Sequence, residues 1–84
     1  MASENPNILD NHLKEHRSKL GISQTELGKL AGVSRQTISL IERKRSDPSI
    51  IVALKLAKIF HVPVDDIFEI QKYAKGKRNE NKND

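Results

Sequence analysis

The stretch SQTELGKLAGVSRQTISLIERK, residues 23–44, predicts two short helices joined by a tight turn. Ser23 and Glu26 have the spacing of a capping box, in which each side chain bonds the backbone amide of the other residue, so a helix is expected to begin there. That helix ends at Gly32, and Ser34 is the natural N-cap of a second helix that continues to about Lys44. The few residues between the two patterns leave room only for a turn.

The second of these helices has one apolar face and one polar face. Ile38 and Ile41 form an apolar stripe at helical spacing. The opposite side of the helical wheel carries polar and cationic side chains with one leucine among them: Arg35, Gln36, Ser39, Leu40 and Arg43. Such groups match the major groove of DNA, where guanine offers acceptors, adenine a donor beside an acceptor, and thymine a methyl group. On this hypothesis Leu40 contacts a thymine methyl.

A polar helix face is more often solvated surface, and Leu40 taken alone could instead pack against a partner subunit. The preceding helix changes this balance. Two short helices with a tight glycine-containing turn, the second basic on its outer face, are typical of a helix-turn-helix unit.

Three further helices are predicted around this pair, over residues 11–20, 50–60 and about 63–68. Gly21 ends the first, Ser49 caps the second, and Pro63 opens the third at its first helical position. Residues 8–10 and 68–70 are candidates for two short paired strands. The side chains expected to face the core include Leu13, Leu20, Leu27, Leu30, Ile50, Leu54, Ala57 and Phe60. The expected fold class is all-α, with five short helices.

Length and composition favour one small domain. The chain has 84 residues, 36% hydrophobic and 31% charged, with a net charge of +4 and no cysteine. Its polar, acidic start is unlike a secretory signal, and its longest apolar run, residues 50–54, is too short to span a bilayer. We therefore expect a cytoplasmic protein with no membrane partner. The expected organisation is a flexible lead at 1–10, a domain at 11–70 and a disordered basic tail at 71–84.

Three motifs carry a resemblance to a known family. They are SQxELxxLAGVSxxxISxIE, a loop containing DPS, and LKLAKxFxVPxDDIF. Over about residues 11–69 the chain resembles the Cro/cI-type (lambda-repressor-like, XRE) helix-turn-helix family. In length and layout it is similar to the small stand-alone dimeric repressors of that family.

The resemblance assigns roles to individual residues. It implies base reading by Arg35, Gln36 and Leu40, with a hydroxyl contact from Ser39. It also implies an ion pair between Arg17 and Glu42 that supports the recognition helix. The residues that it implies for phosphate contacts are Gln24, Ser34, Thr37, Arg43, Lys44 and Arg45.

The function expected from these residues is sequence-specific binding of double-stranded DNA by a transcriptional regulator, as a homodimeric repressor on a pseudo-palindromic operator. Pairing is expected because one small domain makes few base contacts. The interface is predicted away from the recognition helix, at Ile67, Phe68 and Ile70. Two alternatives share the domain: an antitoxin or restriction–modification controller, and a protein-interaction module that has lost DNA binding.

Other chemistry has little support in the sequence. His12 and His16 are spaced to share a metal ion, but no third ligand accompanies them. Asp65 and Asp66 are adjacent and diverge on a helix, so they make a poor acid–base pair. The sequence has no phosphate-binding glycine loop and no nucleophile with a partner base. We expect no enzymatic activity, no cofactor, no metal and no site for a small-molecule effector.

Overall fold

The computed structural model describes residues 9–71, and the expectations for residues 1–8 and 72–84 lie outside that range. Two short strands and a 3-10 turn accompany the helices. The elements in chain order are β1 Leu9–Asn11, α1 Leu13–Leu20, α2 Gln24–Ala31, α3 Arg35–Glu42, α4 Ile50–Phe60, the 3-10 turn Val64–Asp66 and β2 Phe68–Ile70. Within residues 9–71, no helix has the length and apolar character needed to cross a membrane.

The helix boundaries around the predicted turn are confirmed. The Ser23 hydroxyl accepts from the Glu26 amide at 3.0 Å, and the Ser23 amide donates to the Glu26 carboxylate at 2.8 Å. Ser34 and Ser49 cap α3 and α4 in the same way, by accepting from the amides three residues later. Gly32 ends α2 with φ 77°, a left-handed conformation in which a side chain would be strained.

The predicted fifth helix is wrong. Pro63 has an extended backbone, and the residues after it form one 3-10 turn before the chain enters β2. β2 pairs antiparallel with β1, with Leu9 opposite Ile70 and Asn11 opposite Phe68. The segment is too short for a stable helix, and pairing with β1 satisfies its backbone instead. The described fold therefore has four α-helices and a two-stranded sheet, with the first strand one residue later than predicted.

The core lies where α1, α2, α3 and α4 meet the end of the 3-10 turn. Its buried members are Leu13, Leu27, Ala31, Ile38, Ile41, Ala53, Leu56, Ile67 and Phe68. Four side chains predicted to face inward are instead exposed: Leu20, Leu30, Ile50 and Leu54. In α4 the error has a clear cause, because IIVALKLAKIF is apolar on nearly every side and periodicity alone does not choose the buried face.

The end of α3 also differs from the prediction. The helix ends at Glu42, two residues early, and Lys44 adopts a left-handed backbone with φ 63°. The Lys44 amide donates to the Ile41 carbonyl and the Arg45 amide donates to the Leu40 carbonyl, each at 2.9 Å. This is the Schellman pattern of helix termination, with lysine in the position that glycine usually occupies. It turns the chain sharply and places Lys44 beside β1.

Candidate nucleic-acid interface

One face of α3 forms a shallow, polar groove on the surface. Its lining is the set predicted from the helical wheel: Arg35, Gln36, Ser39, Leu40 and Arg43. Ile38 and Ile41 are buried on the opposite side of the same helix, so the orientation of α3 is set by the core. Leu40 remains 38% exposed, among polar neighbours. The groove offers a planar amide, two guanidinium groups, a hydroxyl and one aliphatic side chain to a ligand.

Two hydroxyls predicted to contact phosphate lie at the start of α3. The Ser34 hydroxyl accepts from the Thr37 amide at 3.1 Å, and its oxygen lies 3.0 Å from that of the Thr37 hydroxyl. Ser34 is exposed and Thr37 is half-buried. The cap therefore holds both hydroxyls at the N-terminal end of the helix.

A chain of hydrogen bonds runs from α1 through α3 and α2 to the groove. Arg17 donates to both carboxylate oxygens of Glu42, at 2.7 and 3.3 Å. The Gln24 side-chain nitrogen donates to Glu42 at 3.0 Å, and the Gln24 side-chain oxygen accepts from Arg35 at 3.3 Å. Gln24 thus connects the ion pair to a predicted base-reading side chain. The sequence alone did not indicate the contact between Gln24 and Arg35.

The ion pair at the start of this chain lies in a largely buried position. The side chains of Arg17 and Glu42 are 15% and 5% exposed. Arg17 also donates to the Ile22 carbonyl at 3.0 Å, so the guanidinium bonds both a carboxylate and the backbone after α1. A buried charge that is paired and hydrogen-bonded is tolerated, whereas the same charge left alone is costly. The pair therefore ties α3 to α1 and α2.

The turn between α2 and α3 depends on Gly28, which the sequence reading did not single out. A Cβ at this position would lie 2.7 Å from the Val33 carbonyl oxygen and 3.3 Å from the Ser34 carbonyl oxygen. These are backbone atoms, so no side-chain rotation would relieve the contact. The absence of a side chain at Gly28 allows the turn to pass directly against α2. The position of this turn determines where Ser34, the N-cap of the recognition helix, lies.

The three cations after α3 differ in their contacts. Arg43, Lys44 and Arg45 are all exposed. Arg43 makes a long hydrogen bond, 3.4 Å, back to the Ser39 carbonyl. The Lys44 ammonium lies 2.7 Å from the Asp10 carboxylate, so a residue predicted to contact phosphate forms an ion pair with β1.

Asp10 and Asn11 connect β1 to the end of the recognition helix, and the sequence reading missed both. The Lys44 ammonium and the backbone amide of Asn11 both donate to the Asp10 carboxylate. Both lower the pKa of that carboxylate below its ordinary value. The Asn11 side chain donates to the Ile41 carbonyl at 2.8 Å and accepts from the Leu13 amide at 3.0 Å. No local sequence signal indicates these contacts, because strand pairing brings together residues that are far apart in the chain.

The predicted dimer-interface residues divide into two groups. Ile67 is fully buried and Phe68 is 8% exposed, so both belong to the core and have almost no surface to offer a partner. That part of the prediction is corrected, because the segment joins the core through β2 rather than presenting a helix face. Ile70 is 62% exposed.

Ile70 lies at one end of an apolar surface away from α3. Leu54, Ala57, Val62 and Val64 are the main apolar residues of one groove. Val64 also lines an adjoining groove with Leu9 and Ile70. We call this combined surface the apolar groove. It shares no lining residue with the groove on α3.

The two histidines considered as metal ligands have separate contacts. His12 lies 3.2 Å from Glu15 and 3.3 Å from Glu69. The His16 ring packs on Phe60 with ring centroids 5.5 Å apart. Across residues 9–71, no group of three or more histidine, cysteine or acidic side chains is arranged to hold a metal ion.

Comparisons with known proteins agree on the kind of domain. The helix-turn-helix family model matches residues 13–67. The HTH-type transcriptional regulator YgzD of Bacillus subtilis (strain 168) is 40% identical over 63 residues, covering 75% of this chain and 96% of that protein.

Two solved structures are similar in fold and sequence. The P22 c2 repressor, in complex with a synthetic operator, has a TM-score of 0.61 and 38% identity over 63% of this chain and 80% of its own. The restriction-modification controller protein C.AhdI of Aeromonas hydrophila has a TM-score of 0.60 and 31% identity, with 64% and 78% covered.

Proposed function

The chain belongs to the Cro/cI (XRE) type of the helix-turn-helix family of DNA-binding transcriptional regulators, and from this premise we propose that it is a homodimeric repressor. In this proposal α3 enters the major groove of a pseudo-palindromic operator. The observation that carries the proposal is the composition of the α3 groove. The core orients five polar or aliphatic side chains outward from one helix, next to a buried ion pair that holds the helix in place.

Four of the five members of the α3 groove suit a feature of a base edge, and the fifth, Arg43, is assigned to phosphate. Gln36 carries a donor and an acceptor side by side, which matches adenine, and the Arg35 guanidinium matches the two acceptors of guanine. Leu40 suits a thymine methyl, and its exposure then serves recognition. The Ser39 hydroxyl can donate or accept at a neighbouring base. Gln24 supports this assignment, because its hydrogen bond limits the orientations open to Arg35.

The remaining assigned contacts go to the DNA backbone. Ser34 and Thr37 lie at the start of α3, Gln24 begins α2 and bonds Arg35, and Arg43, Lys44 and Arg45 follow the end of α3. Contacts at both ends of a helix would fix its position in the groove without reading sequence. This division predicts that base-face substitutions change preference, whereas substitutions at the ends change affinity for all sequences.

The apolar groove supports the homodimer. It leaves Leu54 and Ile70 exposed by 50% and 62%, and it lies apart from the residues assigned to DNA. A partner copy could therefore cover it while both α3 helices remain free. Two recognition helices about 34 Å apart would enter successive major grooves on one side of the duplex. We assign this surface to a second copy in place of the buried Ile67 and Phe68.

Repression is the mode that the comparisons support best, because the P22 c2 protein is described as a repressor bound to an operator. The likeness to C.AhdI keeps a restriction–modification controller as the second candidate, and an antitoxin would use the same surface. A module without DNA binding is disfavoured, because Arg35 and Arg43 both remain exposed on the recognition face. A protein that acts on DNA in this way would work in the cytoplasm.

Selection from a pool of random duplexes by the full chain tests this proposal. We expect an inverted repeat whose half-sites lie about ten base pairs apart, centre to centre. The Arg35→Ala/Gln36→Ala variant should lose the enriched motif. Its matched control is Lys14→Ala/Ser18→Ala, which also removes one cation and one polar group, from the exposed face of α1.

Two outcomes would contradict the proposal. The first is a pool without an enriched motif, and the second is binding that ignores salt concentration, because phosphate contacts make binding salt-dependent. A reporter gene placed downstream of the enriched motif then separates repression from activation. Increased expression would contradict repression.

A further inference from the structure

We propose that Asp10 competes with DNA phosphate for the Lys44 ammonium and so limits the affinity of the chain for DNA of any sequence. This inference rests on the proposed DNA-binding function and concerns the residue that follows the end of α3. The ammonium of Lys44 and the carboxylate of Asp10 are 2.7 Å apart. Asp10 thus acts as an affinity-setting residue, although it is expected to contact no base.

The Asp10 carboxylate is held in place by its own strand. Asp10 pairs with Glu69 in the two-stranded sheet. Its carboxylate accepts from the Asn11 amide at 2.8 Å, and the Asn11 side chain is bonded to the Ile41 carbonyl in the last turn of α3. The carboxylate is therefore fixed beside the end of the recognition helix, so the ion pair with Lys44 has a defined geometry.

Lys44 is held from its own side as well. Its left-handed backbone and its amide hydrogen bond to Ile41 fix the direction in which the side chain leaves the helix end. A lysine in this conformation is less favourable than glycine, which is the usual residue at this position of the Schellman pattern. Arg43, on the same turn, bonds the neutral Ser39 carbonyl instead of a carboxylate.

The ion pair is weak enough to open when Lys44 turns to a phosphate, but it offsets the charge of Lys44 while it is closed. The Lys44 and Asp10 side chains are 44% and 32% exposed, and pairs of that kind add little to folding stability. For a phosphate several ångströms away, however, the two charges nearly cancel. A Lys44 that turns to phosphate also leaves an uncompensated carboxylate close to the DNA. Each effect lowers the counterion release that a free lysine would add.

The test compares Asp10→Asn with Asp66→Asn. Both variants remove one negative charge, but Asp66 is exposed in the 3-10 turn and lines neither the α3 groove nor the apolar groove. Asparagine has the shape of aspartate and keeps an acceptor for the Asn11 amide. Affinity is measured for the selected operator and for a random duplex at several salt concentrations.

We expect Asp10→Asn to bind both duplexes more tightly and to steepen the log–log salt slope by about 0.9 for each subunit. Lowering the salt from about 200 to about 50 mM then adds roughly threefold more affinity per subunit than it does for the unchanged protein. Asp66→Asn should shift affinity slightly and leave the slope unchanged. Adding Lys44→Gln to Asp10→Asn should abolish the gain, because the freed ammonium is its source.

Lys44→Gln alone provides a second measurement if Asp10→Asn does not fold. We expect it to weaken binding of both duplexes only modestly and to lower the salt slope by much less than one phosphate contact, because it removes an already neutralised ammonium and leaves the Asp10 carboxylate without its partner. A slope lowered by about 0.9 for each subunit would show that Lys44 is free to bind phosphate and would overturn the inference. Equal effects of Asp10→Asn and Asp66→Asn would also overturn it while leaving operator binding intact. Failure of the unchanged chain to bind DNA would overturn the proposed function as well.

Discussion

The guanidinium of Arg17 in α1 and the carboxylate of Glu42 at the end of α3 make two hydrogen bonds, of 2.7 and 3.3 Å, in a largely buried position. Neither residue lies in the α3 groove. Their contact nevertheless helps to hold the side chains of that groove in place, because Gln24 connects the same carboxylate to Arg35. The stability of the domain and the order of its recognition face are therefore expected to change together.

Arg17→Met should destabilise the domain by about 3–5 kcal/mol, because it leaves the Glu42 charge buried without its partner. Urea unfolding measures this loss as a change in the free energy of unfolding. Lys19→Met is the matched control, since it removes an exposed cation from the same helix and should change stability by about 0.5 kcal/mol or less. An Arg17 variant as stable as this control, with unchanged DNA binding, would show that the pair does not support α3.

Gln36→Ala and Arg45→Ala should affect DNA binding in different ways. Loss of the Gln36 amide is expected to cost about 1–3 kcal/mol on the operator and to relax preference at the base pair it contacts. Loss of Arg45 should weaken operator and random DNA alike and reduce the salt slope by about 0.9 for each subunit. Competition binding against single-base operator variants distinguishes the two. Equal losses on cognate and random DNA for both variants would contradict this division of roles.

Leu40 should respond to removal of a thymine methyl. Replacing the contacted thymine by deoxyuridine is expected to weaken binding by about 0.8 kcal/mol, the value of one buried methyl-sized group. Leu40→Ala should lose affinity for the thymine duplex and become indifferent to the replacement. Deoxyuridine at an uncontacted thymine serves as the control. A Leu40→Ala protein that still discriminates between the two duplexes would refute a methyl contact.

Gly28→Ala should destabilise the domain although alanine is the better helix former. The added Cβ meets the Val33 carbonyl oxygen at 2.7 Å, so the turn must move away from α2. We expect a loss of about 1–3 kcal/mol, as for other overpacked sites, measured by urea unfolding. Gly21→Ala isolates backbone strain, because its φ is 74° and a Cβ there meets nothing within 4 Å. A Gly28→Ala domain as stable as the unchanged protein would remove the steric argument.

Ile70→Lys should shift the protein towards the monomer without unfolding it, since the side chain is already 62% exposed. Loss of one buried isoleucine from an interface corresponds to a roughly ten- to hundredfold weaker dimer. Light scattering at several concentrations measures the change. Leu20→Lys, at an exposed leucine outside the apolar groove, is the control. A monomeric unchanged protein at micromolar concentration, with and without DNA, would exclude the homodimer.

The sequence by itself determined the local features of this protein. The starts of α2, α3 and α4 are each indicated by a serine that caps the amide three residues later, and Gly21 and Gly32 mark the ends of α1 and α2. The polar face of α3 was also readable, because Ile38 and Ile41 form its buried stripe and the remaining side chains must then point outward. These features depend on residues within one or two turns of each other, which is the range that a sequence pattern describes.

Tertiary structure decided the features that depend on distant partners. The buried face of α4 was set by what packs against Ala53 and Leu56, since its own sequence is apolar on most sides. The sequence indicated short paired strands at 8–10 and 68–70, but only the folded chain brought Asp10 of the first strand to Lys44. The periodicity of the sequence does not indicate such contacts, because their energy comes from surfaces and charges that meet only after the chain has folded.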